Sequence, residues 1–212
     1  MRRRYRGLAM LALLVLIPAV VSTAQTRART LTCVGLYSET GAGYVSYRVG
    51  GGSWMPVKVG DVIASDAEIR INVDRDWIEV TATGDPNAVY EITGLPAAEV
   101  IKTVADILKG QARAVQFPQG TTAKPDPAFQ DKLAVTQYLG RQIYLTSTGE
   151  RKDIKYGDIL DRTGRVRIIA INNTITLMNA TGAVTTVIGP LNFDVEKVLT
   201  NQTLYKFLNV QR

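Results

Sequence analysis

"KVGDVIASDAEIRI" (58–71) and "KYGDILDRTGRVRI" (155–168) are nearly one phrase written twice in a single chain. Gly60-Asp61 and Gly157-Asp158 stand 97 residues apart. At that offset Val57 meets Ile154, Lys58 meets Lys155 and Ile63 meets Leu160. Ile69, Arg70 and Ile71 meet Val166, Arg167 and Ile168. A repeat of this length decides the architecture before any single element does. Glycine at the turn supplies a left-handed backbone, and the aspartate after it can accept from nearby backbone N–H groups. Gly60, Asp61, Gly157 and Asp158 are therefore read as structural turn residues.

Working outward, both phrases run into alternating strands. Ile69, Ile71 and Val73 face one way, with Glu68, Arg70 and Asn72 on the other. Ile78 and Val80 alternate with Glu79 and Thr81; Val166, Ile168 and Ala170 alternate less cleanly with Arg165, Arg167 and Ile169. "GDPN" (84–87) and "NATG" (179–182) are turn sequences. Upstream, "RQIYLTS" corresponds to "GYVSYRV". Downstream, Pro96 suits the start of a helix and Gly110 its end, with Val100, Ile101, Val104, Ile107 and Leu108 as one apolar stripe. The second helix is expected from about Asn192, and the tail "TLYKFLNV" fits either a helix or a closing strand. Each half thus predicts a small β module followed by a helix, a mainly β (α+β) chain. The boundaries are residues 25–110 for the first module and 133–212 for the second. Between them, 111–132 is Pro-containing and reads as a linker.

Residues 1–24 form a separate unit. "MRRRYRG" is a basic leader, "LAMLALLVLIPAVV" an apolar run of 14 residues, and Ser22 and Ala24 suit signal-peptidase cleavage before Gln25. The alternative is an uncleaved anchor, for which the run is short. The chain carries +6. Four of its arginines and no acidic residue lie in 1–24, so cleavage leaves +2, which does not suggest nucleic-acid binding. Cys33 is the single cysteine, so no intramolecular disulfide supports the fold; its thiol is buried, solvated or paired between chains.

"GYVSYRVGGGSWMPVKVGDVIASDAEIRI" resembles the core of FecR-type domains, through Val45, Trp54, Pro56-Val57, Gly60-Asp61 and Ile69. The resemblance covers 43–94 and, more faintly, 140–190, where Arg151 and Asp153 replace Trp54 and Pro56. The family's second Gly-Asp is Asp66-Ala67 here and Thr163-Gly164 in the repeat. It implies tandem, small sandwich- or barrel-like extracytoplasmic β modules. The best-known members regulate sigma factors and carry a cytoplasmic segment ahead of their span. Only six residues precede Gly7 here, so that signalling role is kept only as an alternative.

The chain has no histidine, which excludes Ser-His-Asp and Cys-His catalysis and histidine-ligated metals. Neither a Walker loop, a G-x-S-x-G nor a dinucleotide fingerprint is present. "NVDRDW" begins like a calcium loop, but Trp77 and Thr83 stand where Gly and Glu are needed, so it reads as a polar hairpin. Asn172, Asn179 and Asn201 head glycosylation-like triplets and read as turn and cap residues. No catalytic, metal or cofactor site is expected. An enzyme built on unrecognised carboxylates is the weakest alternative. The expectation is a non-enzymatic, bacterial, periplasmic or secreted protein that contacts another cell-envelope protein through Tyr44, Tyr47 and Trp54. Binding of peptidoglycan or another glycan is the runner-up, and Trp54 has a competing place in the core. Membrane contact is expected only through an uncleaved leader.

Overall fold

The computed structural model describes residues 29–38, 45–72, 75–117 and 127–201. Residues 1–24, expected to be a leader, Tyr44 and the tail from residue 202 lie outside them. The first half contains β1 (Leu31–Tyr37), β2 (Val45–Val49), β3 (Met55–Pro56), β4 (Val62–Ile63), β5 (Ala67–Ile71), β6 (Trp77–Ala82), β7 (Asp85–Thr93), β8 (Val100–Thr103) and α1 (Val104–Lys109). After β9 (Arg113–Ala114) and a short 3-10 turn (Pro127–Phe129), the same series returns. It runs β10 (Lys132–Leu139), β11 (Gln142–Leu145), β12 (Arg151–Asp153), β13 (Ile159–Asp161), β14 (Arg165–Ile168), β15 (Thr174–Met178), β16 (Val184–Ile188), β17 (Leu191–Asp194) and α2 (Val195–Leu199). The chain is mainly β, and β1–β8 with α1 match β10–β17 with α2 element for element.

Each half has its own four-stranded sheet, β3-β2-β5-β8 and β12-β11-β14-β17. The halves also share a nine-stranded sheet whose main path is β16-β15-β10-β1-β6-β7-β9. Its central pair, β1 and β10, is parallel, with Gly35 opposite Tyr138, whereas the flanking pairs are antiparallel. A half-turn about an axis along the strands therefore exchanges the halves and the faces of the sheet. The two cores follow that rule. Leu31, Cys33, Leu36, Ile78 and Val80 enter the first core. Val34 and Tyr37, from the same β1, enter the second. Reciprocally, Tyr138 joins the second core while its neighbour Leu139 packs against the first.

The repeated phrase clips each small sheet to the shared one. Gly60 and Gly157 have φ of 93° and 80°. The Lys58 N–H donates to the Asp61 carboxylate at 2.8 Å, and the Lys155 N–H to Asp158 at 2.7 Å. Gly60 N–H donates to the Cys33 carbonyl and Gly157 N–H to the Val135 carbonyl, both at 2.8 Å. The turn that opens each phrase is thereby tied to the first strand of its own half.

Three local differences from the sequence reading have physical causes. Only Val104–Lys109 of the expected 96–109 helix is helical, capped by Thr103, whose side chain accepts from the Asp106 N–H. Val100–Thr103 pairs with β5 instead, so Val100 is buried while Ile101 faces outward. β-Branched residues beside an open strand edge favour that outcome. Likewise α2 begins at Val195, because Leu191–Asp194 completes the second small sheet. Lastly, 111–132 begins as structure: β9 pairs with β7, Val115 is buried, and Phe117 packs edge-on to Tyr156.

Candidate functional site

The outer faces of the two small sheets carry different residues in the two copies. In the first half, Arg48, Glu68 and Arg70 stand on that face. Arg48 binds Glu68 at 2.6 Å, and Arg70 lies 3.5 Å from Glu99. Trp54 lies over both guanidinium groups, 4.5 Å from Arg48 and 4.2 Å from Arg70. Two cations meet two carboxylates, and the indole covers them. Among the described residues these charges balance beneath the indole. Tyr47, from the same strand as Arg48, is turned toward the first core and half-buried there.

In the second half Arg151 stands for Trp54, Leu145 for Arg48, Arg165 for Glu68 and Ile143 for Ser46, while Arg167 keeps the place of Arg70. The cover is lost and a concavity of about 790 Å3 opens. Ile143, Leu145, Ile169 and Leu191 give it apolar walls. Among the described residues, Arg151, Arg165, Arg167 and Lys197 line it with one carboxylate, Asp194. Asp194 binds Arg165 at 2.9 Å and approaches Lys197 at 3.8 Å. Among the described residues, no carboxylate lies within ion-pair distance of Arg151 or Arg167, and both are exposed. The sequence holds a signal for this groove: the replacement of Trp54 by Arg151 is visible at the repeat offset.

A second polar group lies between the halves. Glu79 is fully buried on the face of β6 turned to the second core. It accepts from Arg113 at 3.1 Å and from the Tyr156 N–H at 2.8 Å. Arg113 also donates to the Tyr156 carbonyl at 2.6 Å. The Tyr138 hydroxyl, close enough to Glu79 to feel its charge, accepts from the Trp77 indole N–H at 2.8 Å. Trp77 stacks on Tyr37 with centroids 3.7 Å apart. Desolvation, partly offset by the Tyr156 N–H and Arg113, raises the Glu79 pKa above the ordinary range. Burial likewise raises that of Tyr156 to about 12. A raised carboxyl can signal catalysis, but Glu79 and Tyr138 have no exposed surface for a substrate to reach. The group joins the two halves. Alternation of polar and apolar residues places Glu79 on a solvent face, a reading that fails because the second half covers it.

Cys33 is buried in the first core, which pushes its thiol pKa far up and holds it protonated. Among the described residues no three His, Cys, Asp or Glu side chains are grouped to hold a metal ion. Among those residues, too, no helix is long and apolar enough to cross a membrane. No family model, curated protein or solved structure matches this chain.

Proposed function

We propose that this chain is an exported, non-enzymatic binding protein of the bacterial cell envelope, and that it binds another envelope protein with the outer face of its second half. The observation that carries this reading is the contrast between equivalent faces: Trp54, Arg48 and Glu68 close one, while Arg151, Leu145 and Arg165 leave the other open. Duplication keeps the frame, so a function particular to one copy belongs where the copies diverge. The leader in residues 1–24 and the FecR-type resemblance support an extracytoplasmic place. The test is a photo-crosslinking amino acid at Ile143 or at its equivalent, Ser46, in living cells. Adducts with one envelope protein from position 143 and not from 46 are expected. Absence of adducts from both positions, or recovery of the chain in the cytosol, overturns the reading.

A glycan-binding reading rests on Trp54, whose indole is only half-buried over Arg48 and Arg70 and could stack on a sugar. Co-sedimentation with peptidoglycan that disappears in Trp54→Ala favours it; equal retention of the variant removes it.

A further inference from the structure

The open face also carries information about the chemistry of its occupant. Among its apolar walls, Ile143 and Leu145 stand side by side with Arg167 and Arg165 in the register of β11 and β14. Arg151 lies across from Leu145 on β12. Each apolar residue therefore has a guanidinium beside it. Such a pattern suits a segment that presents carboxylates and aliphatic side chains in turn. Arginine matches a carboxylate with two parallel N–H donors, and its weak hydration lets it act beside apolar surface.

Other occupants fit less well. A glycan platform needs an accessible aromatic ring, and Phe193, the sole aromatic in the lining, is buried. Single-stranded nucleic acid asks for stacking surfaces as well as cations. A small inorganic anion would leave the apolar walls unused. Among the described residues Asp194 faces Arg165 and Lys197, while Arg151 and Arg167 meet no carboxylate, and those two guanidinium groups favour a negative occupant. From this charge complementarity, and resting on the proposed binding role of this face, we infer that the groove holds an acidic peptide segment of a partner protein. In that segment Asp or Glu side chains meet Arg151 and Arg167, and aliphatic side chains lie on Ile143 and Leu145.

The probe is an acetylated hexapeptide of alternating Glu and Leu, titrated into the isotope-labelled chain from residue 25 onward. Amide shifts in β11, β12 and β14 are followed by NMR. Perturbation of Ile143, Leu145 and Arg167 is expected, weakening with added salt because the contact is surface electrostatics. Arg151→Glu with Arg167→Glu should weaken binding about tenfold, since two exposed attractions become repulsions. Both side chains are exposed, so the double variant should retain the parent spectrum elsewhere. Arg70→Glu, on the closed face, serves as control and should leave the titration unchanged.

No perturbation in the groove, or perturbation only outside it, overturns the inference. An alternating Lys–Leu hexapeptide that binds as well overturns it too. Sodium sulfate giving the same shifts at the same concentration reduces the site to a simple anion site. A sulfated polysaccharide that outcompetes the hexapeptide assigns the groove to polyanionic glycan instead. The two proposals fail separately. Adducts from position 143 with a neutral or basic segment would sink the acidic-peptide inference and leave the binding role standing; absence of adducts would sink the role itself.

Discussion

β6 and β15 are the same strand of the duplicated unit, yet they are buried differently. In β15 the pattern alternates: Ile175 and Leu177 are buried, and Thr174, Thr176 and Met178 are half-exposed. In β6 every residue from Ile78 to Ala82 is buried, with Glu79 and Thr81 among them. The difference lies in what covers the second face. Over β6 the second half lays Tyr156, and from β9, which extends the same sheet beyond β7, the Arg113 side chain reaches back to Glu79. Lys155 adds an ion pair to Glu91 at 2.7 Å and lies 5.1 Å from the Trp77 ring. Over β15 stands a cross-strand threonine pair, Thr176 and Thr186, at 3.1 Å. Duplicating a strand does not duplicate its environment when a two-fold arrangement is completed on one side by a segment, β9, that follows only the first copy among the described residues.

The largest test of this contrast is Glu79→Ala. It leaves the Tyr156 N–H buried without its acceptor and Arg113 without its carboxylate. Removing one member of a buried charged group costs about 3–5 kcal/mol, and Arg113, partly exposed, can rehydrate, so about 3 kcal/mol is expected. Urea unfolding followed by Trp fluorescence checks it. A loss under about 1 kcal/mol, the scale of an exposed pair, would mean that the group does not hold the halves together.

Glu79→Gln sharpens the same point through pH. The Glu79 carboxyl is raised by burial in the folded chain. Between the ordinary glutamate value and that raised value, the folded state binds more protons than the unfolded one. Stability therefore falls as pH rises through this window. Asp158, also raised mainly by burial, contributes with the same sign. The glutamine amide does not titrate, so the variant should show a shallower decline, with the Asp158 part remaining. Urea midpoints measured at intervals upward from about pH 4, near the ordinary glutamate value, would show it; parallel curves would place the titration elsewhere.

The parallel joint between the halves is the next place to break the comparison. Gly35 faces Tyr138, and a Cβ at Gly35 would run into the buried Tyr138 ring. Gln137 holds the equivalent place in β10, beyond the matching bulge. Gly35→Ala should cost about 2 kcal/mol by overpacking, read as a lowered melting temperature. Gln137→Ala, at the corresponding position, should change it by much less. Equal losses would show that the two strands are packed alike.

Much of this fold is legible in the sequence because repetition is a signal that survives substitution. The 97-residue offset aligns the Gly-Asp turns, and the alternation in 68–71 and 165–168 marks two strands that form as expected. Glu79 and Thr81 are misplaced by alternation because a period of two tells which residues share a face, and says nothing about whether a distant segment covers the other face. The helix from Pro96 is overextended because an i, i+3, i+4 stripe at Val100, Val104 and Ile107 is also consistent with a short strand leading into one helical turn. At the groove, the sequence supplies the substitutions, Arg151 for Trp54 above all. What it lacks is the knowledge that Trp54 serves as the cover over Arg48 and Arg70.

That cover gives a smaller prediction. Trp54→Ala removes the indole from two guanidinium groups and leaves the Arg48–Glu68 pair in place. Partly exposed cation–π contacts are each worth about 0.5–1 kcal/mol, so a loss of about 1 kcal/mol is expected in chemical denaturation. Arg151→Trp together with Leu145→Arg should move the second face toward the first and weaken binding of the Glu–Leu hexapeptide. Undiminished binding in that double variant would mean that the open groove is not what distinguishes the copies.

The smallest effect is expected where β15 stands in for β6. Thr176 occupies the position of Glu79, and its hydroxyl pairs with Thr186 across the strands. A cross-strand threonine pair contributes about 0.2–1 kcal/mol, and its exposure puts this one near the lower end. Thr176→Ala should therefore lower stability by about 0.5 kcal/mol, against about 3 kcal/mol for Glu79→Ala at the matching site. Both variants unfolded side by side give the ratio directly. A Thr176→Ala loss as large as that of Glu79→Ala would mean that the outer face of β15 is also covered in solution, and that the asymmetry of the two halves is closed by something packed over Thr176 and Thr186.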